Sequence, residues 1–499
     1  MADNLQIKTE KLIKYANEKF GTNETNLRNI IDNAEIGGAG GEYHIDQIID
    51  GDECELVITL ADGKEVITDL PEVFAASTEL YNFQVDKDTI LFSSNIRNIG
   101  VWTYTISTNT WEQKYLSGYS WQYFQMIGNE CWISSNNSSS SGILSYNSTT
   151  KTIEQKYLSG HGWRYFQMVG KDWLVTGTGV LLYDSTTKTI EPKYSNGTLW
   201  QYFQMVGNDC LIASNNTNTG ILLYDSVTKT VEQKYTAGYD WQFFQVVGKD
   251  CLIASNKSTG LGVLLYDSVT KTIEQKYAAG YYWRLFQVVG KDCLIASSYS
   301  SNTSQGILLY DSTTKTIEKK YESGYQWQYF QLVGNDCLIS SNYTGESSSG
   351  VLLYSSTTKT IEKKYESGHH WERFHMVGND YLISSSYSSA PGILLYDSTT
   401  KTIEQKYTRD YYWQYFQIVG DDCLIASSSN TNGGILLYNS ITKTIEQKYA
   451  VGYNYDAFKK DVDNNCYIES SDKTKNKLVL YYNATDKTIK LAKYYIGKV

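Results

Sequence analysis

Runs of five to seven residues with alternating or mainly apolar character, separated by polar turns, recur along most of this chain in a fixed order. From about Leu80 to the C-terminus, one segment of about 41 residues occurs ten times head to tail. A period of this length signals a propeller or a solenoid. Trp121, Trp163, Trp200, Trp241, Trp283, Trp327, Trp371 and Trp413 open eight of the copies, and Leu80 and Tyr455 hold that place in the first and last. In the fourth copy, Trp200 to Val206 reads as one extended run, with Gly207-Asn208-Asp209 as its turn. Cys210 to Ser214 and Gly220 to Tyr224 follow, then the turn Asp225 to Lys229 and a last run, Thr230 to Tyr235. Four short strands per unit predict the blade of a β-propeller.

The connection between the second and third strands varies in length, from Thr176–Gly179 to Ser298–Gly306 and Asn342–Gly350, and is rich in Ser, Asn, Thr and Gly. Solvated loops tolerate insertion, so this variation marks an exposed rim; slippage during replication of a low-complexity stretch explains it equally well. No linker interrupts the copies. The expected fold is all-β, a propeller of about ten four-stranded blades closed into one ring, with two five-bladed propellers as the alternative. Closure removes free sheet edges.

The start of the chain differs. Leu5, Leu12, Ile13, Ala16 and Phe20 form an approximate apolar stripe, and Thr25 to Ala34 suggests a second short helix, so residues 1–36 read as helical. Gly37-Gly38-Ala39-Gly40-Gly41 reads as a joint. The alternating runs on either side of Asp50-Gly51-Asp52-Glu53 predict a hairpin, extended by Lys64 to Leu70. The expected parts are therefore a helical segment (1–36), a joint with a small β-module (37–75) and the repeats (76–499), the first two together making an α+β module.

A net charge of -10 without a basic stripe argues against a nucleic-acid partner. The first residues lack the pattern of a signal peptide, and no apolar run approaches the ~18 residues of a membrane helix, so a soluble protein made in a cytoplasm is expected. Seven of eight cysteines occupy one repeat position, which Ile90, Trp173 and Tyr381 fill in the other copies. A position that accepts these apolar groups predicts buried thiols rather than disulfides or a metal site.

The half-repeat VWTYTISTNTWEQKY, from Val101 to Tyr115, resembles the kelch motif, in which a tyrosine strand, a turn and a tryptophan follow in that order. Later copies keep the turn but place Ile where kelch has Trp, as in Tyr396–Tyr407, and they lack the kelch double glycine. The resemblance implies a propeller and leaves the partner open. The layout of Leu5–Phe20, Gly37–Gly41 and the hairpin Glu42–Leu60 resembles the attachment ends of tailed-bacteriophage virion proteins. That implies docking to other virion proteins in a particle assembled in the host cytoplasm.

No catalytic signature is present. His369, His370, Glu372, Arg373 and His375 depart most from the repeat consensus, with Arg409-Asp410, and read as drift on a solvated face rather than as acid–base or metal-binding groups. The recurring Trp with its Gly-Tyr lead supplies the candidate ligand-binding residues: Tyr119, Trp121, Trp163, Trp200, Tyr239, Trp241, Trp283, Tyr325, Trp327, Trp371 and Trp413. Aromatic faces stack on sugars, and repeated weak sites gain by multivalency. Against this stands a packing role, in which each Trp wedges neighbouring blades together. The expected function is a non-enzymatic virion appendage, like a tail or head fibre, that binds host-surface glycan or other virion proteins, without cofactor or metal and possible as a homo-oligomer. The alternative is a bacterial propeller lectin or interaction scaffold in the bacterial cytoplasm.

Overall fold

The computed structural model describes residues 44–496, apart from short internal stretches. These stretches chiefly join second to third strands and one repeat to the next. Residues 1–43, and with them the expected helices and glycine joint, lie outside the described residues. The chain forms two compact units, residues 1–201 with 226–231 and residues 202–225 with 232–499. The division therefore falls within the fourth repeat, not after the fifth.

Among the described residues the fold is all-β: ten four-stranded antiparallel sheets, each in sequential strand order, and one three-stranded sheet. This is a propeller-like repeat fold with one sheet per copy. The three-stranded sheet contains β1 (His44–Asp50), β2 (Glu53–Thr59) and β3 (Glu65–Asp69) in that order, followed by a 3-10 turn at Glu72–Phe74.

The fifth repeat shows how the residues make a blade. Its strands are Trp241–Val247, Asp250–Ser255, Val263–Asp267 and Thr272–Tyr277. Val247 pairs with Asp250 across a two-residue turn. Gly248, at φ 63°, takes the position that a type II′ turn reserves for glycine. The second hairpin closes at Asp267↔Thr272, where Lys271 ends the loop at φ 54°. Asp267 Oδ1 accepts the backbone N–H groups of Val269 (2.9 Å) and Thr270 (3.2 Å), which sets the turn locally.

Middle strands are buried on both faces, so Asp250–Ser255 reads as a continuous apolar run rather than an alternation. Trp241 of the fifth repeat packs with Val206, Leu211 and Leu223 of the fourth and with Cys251 and Ile253 of its own. The next pair repeats this arrangement around Trp283. Each of the eight tryptophans meets the closing tyrosine of the preceding copy edge to face, as in Tyr277–Trp283 (5.8 Å, 89°) and Tyr407–Trp413 (5.4 Å, 90°). A buried hydroxyl on the second strand donates to the carbonyl of the next copy's tryptophan in some repeats, as Ser134 does to Trp163 and Thr176 to Trp200, both at 2.7 Å. Ala254 and Ala296 hold that position in other repeats and pack as apolar groups instead.

The first and tenth repeats depart from the others in sequence. In the first, Phe92 and Tyr104 pack against Ile58, Leu70 and Phe74 of the N-terminal module. Trp111 lies against Phe92 (4.8 Å) and Phe74 (6.2 Å), and its indole N–H donates to Thr68 Oγ1 (3.1 Å). The tryptophan behind the kelch resemblance is thus one of the contacts that join the first blade to the N-terminal module. In the tenth repeat, Tyr467, Glu469 and Tyr481 stand where the ninth has Leu424, Ala426 and Leu437. Glu469 pairs with Lys459 at 2.8 Å, and Tyr467 is 43% exposed.

Candidate binding edge and groove

The eight tryptophans offered as ligand contacts are buried, with Trp121 and Trp163 the most exposed at 2%. Their ring faces are occupied by neighbouring blades. The structure therefore puts Trp121, Trp163, Trp200, Trp241, Trp283, Trp327, Trp371 and Trp413 in the core, in the wedging role. Tyr119, Tyr239 and Tyr325 lie outside the described residues.

What these strands leave accessible are the side chains that follow the tryptophan. In the fifth repeat Gln242, Phe243, Phe244, Gln245 and Val246 are all half-buried. A bulge between Trp241 and Phe243 sets the tryptophan and the next aromatic residues in separate registers. The first strand is a sheet edge, so alternate backbone carbonyls point away from the blade. Gln245 Nε2 donates to the carbonyl of Val246 at 3.0 Å, and Gln287, Gln331 and Gln417 do the same for Val288, Leu332 and Ile418 at 3.0 Å each. The glutamines thus cover an edge that would otherwise offer itself for strand pairing.

Neighbouring first strands are tied together along this edge. Tyr165 donates its hydroxyl to Gln201 Oε1 at 3.1 Å, and Tyr329 donates to Glu372 Oε2 at 3.0 Å. Arg284 takes the same place over Phe243, 5.9 Å from the ring centre. Burial, with the charge of Glu372, pushes the Tyr329 hydroxyl up to about 12, so it remains a donor.

Between the eighth and tenth repeats the edge opens into a groove of about 420 Å³. Arg373 and His375 line it from the eighth repeat, Gln414 and Phe416 from the ninth and Phe458 from the tenth. His375 lies flat on Phe416, with centroids 4.9 Å apart and planes at 16°. Burial holds its imidazole below the ordinary histidine range. His369 and His370 lie outside the described residues. The cluster read from sequence as drift on a solvated face is thus divided: Glu372 belongs to the inter-blade contact, and Arg373 and His375 to the groove.

A second recurring contact escaped the sequence reading. In most repeats the lysine that closes the second hairpin reaches back to the preceding blade. Lys315 Nζ lies 3.1 Å from Asp250 and 2.5 Å from Asp267. Lys359 bridges Asp292 (3.0 Å) and Asp311, and Lys443 bridges Asp380 (2.9 Å) and Asp397. The ammonium of Lys315 holds Asp267 below the ordinary carboxylate range, and Lys359 and Lys443 do the same for Asp311 and Asp397. Ser355 replaces one aspartate in the seventh repeat, and Lys401 then pairs with Asp336 at 2.6 Å. The signal was present in the sequence as a Lys and two Asp kept at fixed repeat positions. Their partnership runs between copies, however, and periodicity within one copy does not reveal it.

The seven repeat thiols are buried. Burial pushes Cys210, Cys251, Cys337 and Cys423 up to about 12.

No family model matches the chain, and the comparison with curated proteins returns no match. Among solved structures it is similar to the extracellular domain of BT4673 from B. thetaiotaomicron, at 11% identity and a TM-score of 0.26 over 93% of this chain and 73% of that one. It is also similar to PorZ, a bacterial surface component of the type-IX secretion system of Porphyromonas gingivalis, at 11% identity and a TM-score of 0.25 over 92% and 77% of the two chains. A eukaryotic initiation factor gives 11% identity and a TM-score of 0.31 over 73% and 96%. At these scores the similarities carry no argument about function.

Proposed function

We propose that this protein is a non-enzymatic attachment appendage of a tailed-phage virion, in which the N-terminal part docks to the particle and the repeats bind host-surface glycan. The observation that carries the binding role is the first-strand edge. It repeats half-buried aromatic and amide side chains in one register, as in Gln242–Gln245 and Gln328–Gln331. Amides hydrogen-bond sugar hydroxyls, and aromatic rings cover the apolar faces of sugar rings. A polymer with its own repeat engages several such weak contacts at once, which raises avidity by a factor of about 10²–10⁴ over one contact. The virion assignment is supported by the layout of the first 75 residues, a sequence resemblance.

The test is binding of the labelled full-length protein to bacterial cells, with and without free surface polysaccharide, and immunogold labelling of purified virions. Cell binding that polysaccharide abolishes, with label on particles, is the expected outcome. Binding without particle label fits the lectin alternative, and failure to bind any polysaccharide overturns the attachment role.

A further inference from the structure

The first strand of the eighth repeat breaks the edge pattern at two places. Arg373 stands where the second, third, seventh and ninth repeats have Tyr123, Tyr165, Tyr329 and Tyr415. His375 stands where they have Gln125, Gln167, Gln331 and Gln417. The residues are two apart on a strand, so they share a face. The tyrosine that would reach towards the next repeat is missing there, and Gln414 of that repeat lines the groove instead. The tenth repeat adds exposed Lys459 and Lys460 after Phe458, where its neighbour has Gln417 and Ile418. Lys459 pairs with Glu469, so Arg373 and Lys460 are the charges added to this edge.

The accessible cation of the groove is Arg373, because His375 Nε2 is enclosed by protein. Arg373 is 53% exposed, and the carboxylate of Glu372 lies 3.9 Å from its Nε, too long for a hydrogen bond. The other oxygen of Glu372 already accepts from Tyr329. A guanidinium placed this way can form the bidentate pair that carboxylates favour. Phe416, under the imidazole, and Phe458 supply apolar surface beside it. A volume of about 420 Å³ lies within the range of small-ligand sites and holds one or two sugar rings.

We propose that this groove binds an acidic glycan, taking the carboxylate of a hexuronate residue on Arg373 and the sugar's apolar face beside Phe416 and Phe458. The inference rests on the glycan-binding reading above and names the sugar class at one site. The rings beside the cation favour a sugar over an acidic peptide, because a glutamate side chain brings a carboxylate and little ring-sized apolar surface.

The test compares the full-length protein with the double variant Arg373→Tyr/His375→Gln, which restores the side chains that other repeats carry and should keep the wild-type melting temperature. Calorimetric titration uses tetragalacturonate, the neutral tetragalactose and a poly-L-glutamate of equal charge. Wild type is expected to bind tetragalacturonate at least tenfold more tightly than the variant does, with the neutral sugar unaffected. Equal binding by variant and wild type, or no tetragalacturonate binding by wild type, overturns the proposal. Equal or tighter binding of poly-L-glutamate overturns the sugar assignment. Binding of whole surface polysaccharide that persists in the variant leaves the attachment role standing, whereas its absence in both proteins removes the larger reading as well.

Discussion

At the residue scale, the side chains that looked most suited to contact a ligand hold the blades together. Trp241 is fully buried between the fourth and fifth repeats, so Trp241→Ala is expected to cost about 3–5 kcal/mol, read by denaturant melts. The repeat cysteines are equally inaccessible. At pH 8 a thiol shifted up to about 12, such as Cys251, carries almost no thiolate. Ellman's reagent should leave the seven repeat thiols unmodified in the native protein and react fully after unfolding; rapid native reaction would show that the blades open. Charge shapes stability in a predictable direction. Asp267, Asp311 and Asp397 have folded-state values depressed by their lysines. Their contribution is therefore present above the ordinary value of about 4 and is lost as pH falls through the folded-state values. Melting temperature should hold from pH 7 to 5 and fall below about pH 4. A flat profile to pH 2.5 would mean that the ladder adds nothing.

At the scale of the element, turn chemistry made the blade legible in the sequence. Gly-Lys-Asp and Asp-Ser-Val-Thr-Lys mark the two hairpins of the fifth repeat, and its strands begin and end within a residue or two of where the pattern places them. Glycines with the same sign of φ differ in what surrounds them. At Gly248 (φ +63°) an added Cβ meets open space, whereas at Gly262 (φ +71°) it would lie 1.7 Å from the Tyr277 carbonyl oxygen. Gly248→Ala should cost about 1–2 kcal/mol for its backbone conformation alone. Gly262→Ala adds a steric term of about 1–3 kcal/mol, and thermal melts should rank the two in that order. The lysine ladder was harder to see, because each bond joins positions about 46 residues or more apart. Lys315, held by two aspartates, should lower the melting temperature more when changed to Ala than Lys401, held by Asp336, does.

At the scale of the molecule, repetition revealed the fold class, while the role of the first-strand edge became legible only in the folded chain. A tryptophan pattern cannot distinguish a wedge from a platform, since either role asks for an aromatic residue at that position in every copy. The packing of Trp241 between two blades decides it, with the following residues left half-buried. The first repeat owes Trp111 to the module it meets, so a chain beginning at residue 76 would expose Phe92 and Tyr104 and is expected to aggregate. The most direct test of the binding account is the affinity of the full-length protein for immobilised bacterial surface polysaccharide, measured beside melting temperature for two variants. One is Trp241→Phe, and the other combines Gln245→Ala, Gln287→Ala and Gln331→Ala. The account predicts that the glutamine variant loses affinity at least tenfold while melting near wild type, and that Trp241→Phe melts earlier but binds as before. Full affinity in the glutamine variant, with binding lost in Trp241→Phe, would contradict it and return the site to the tryptophans.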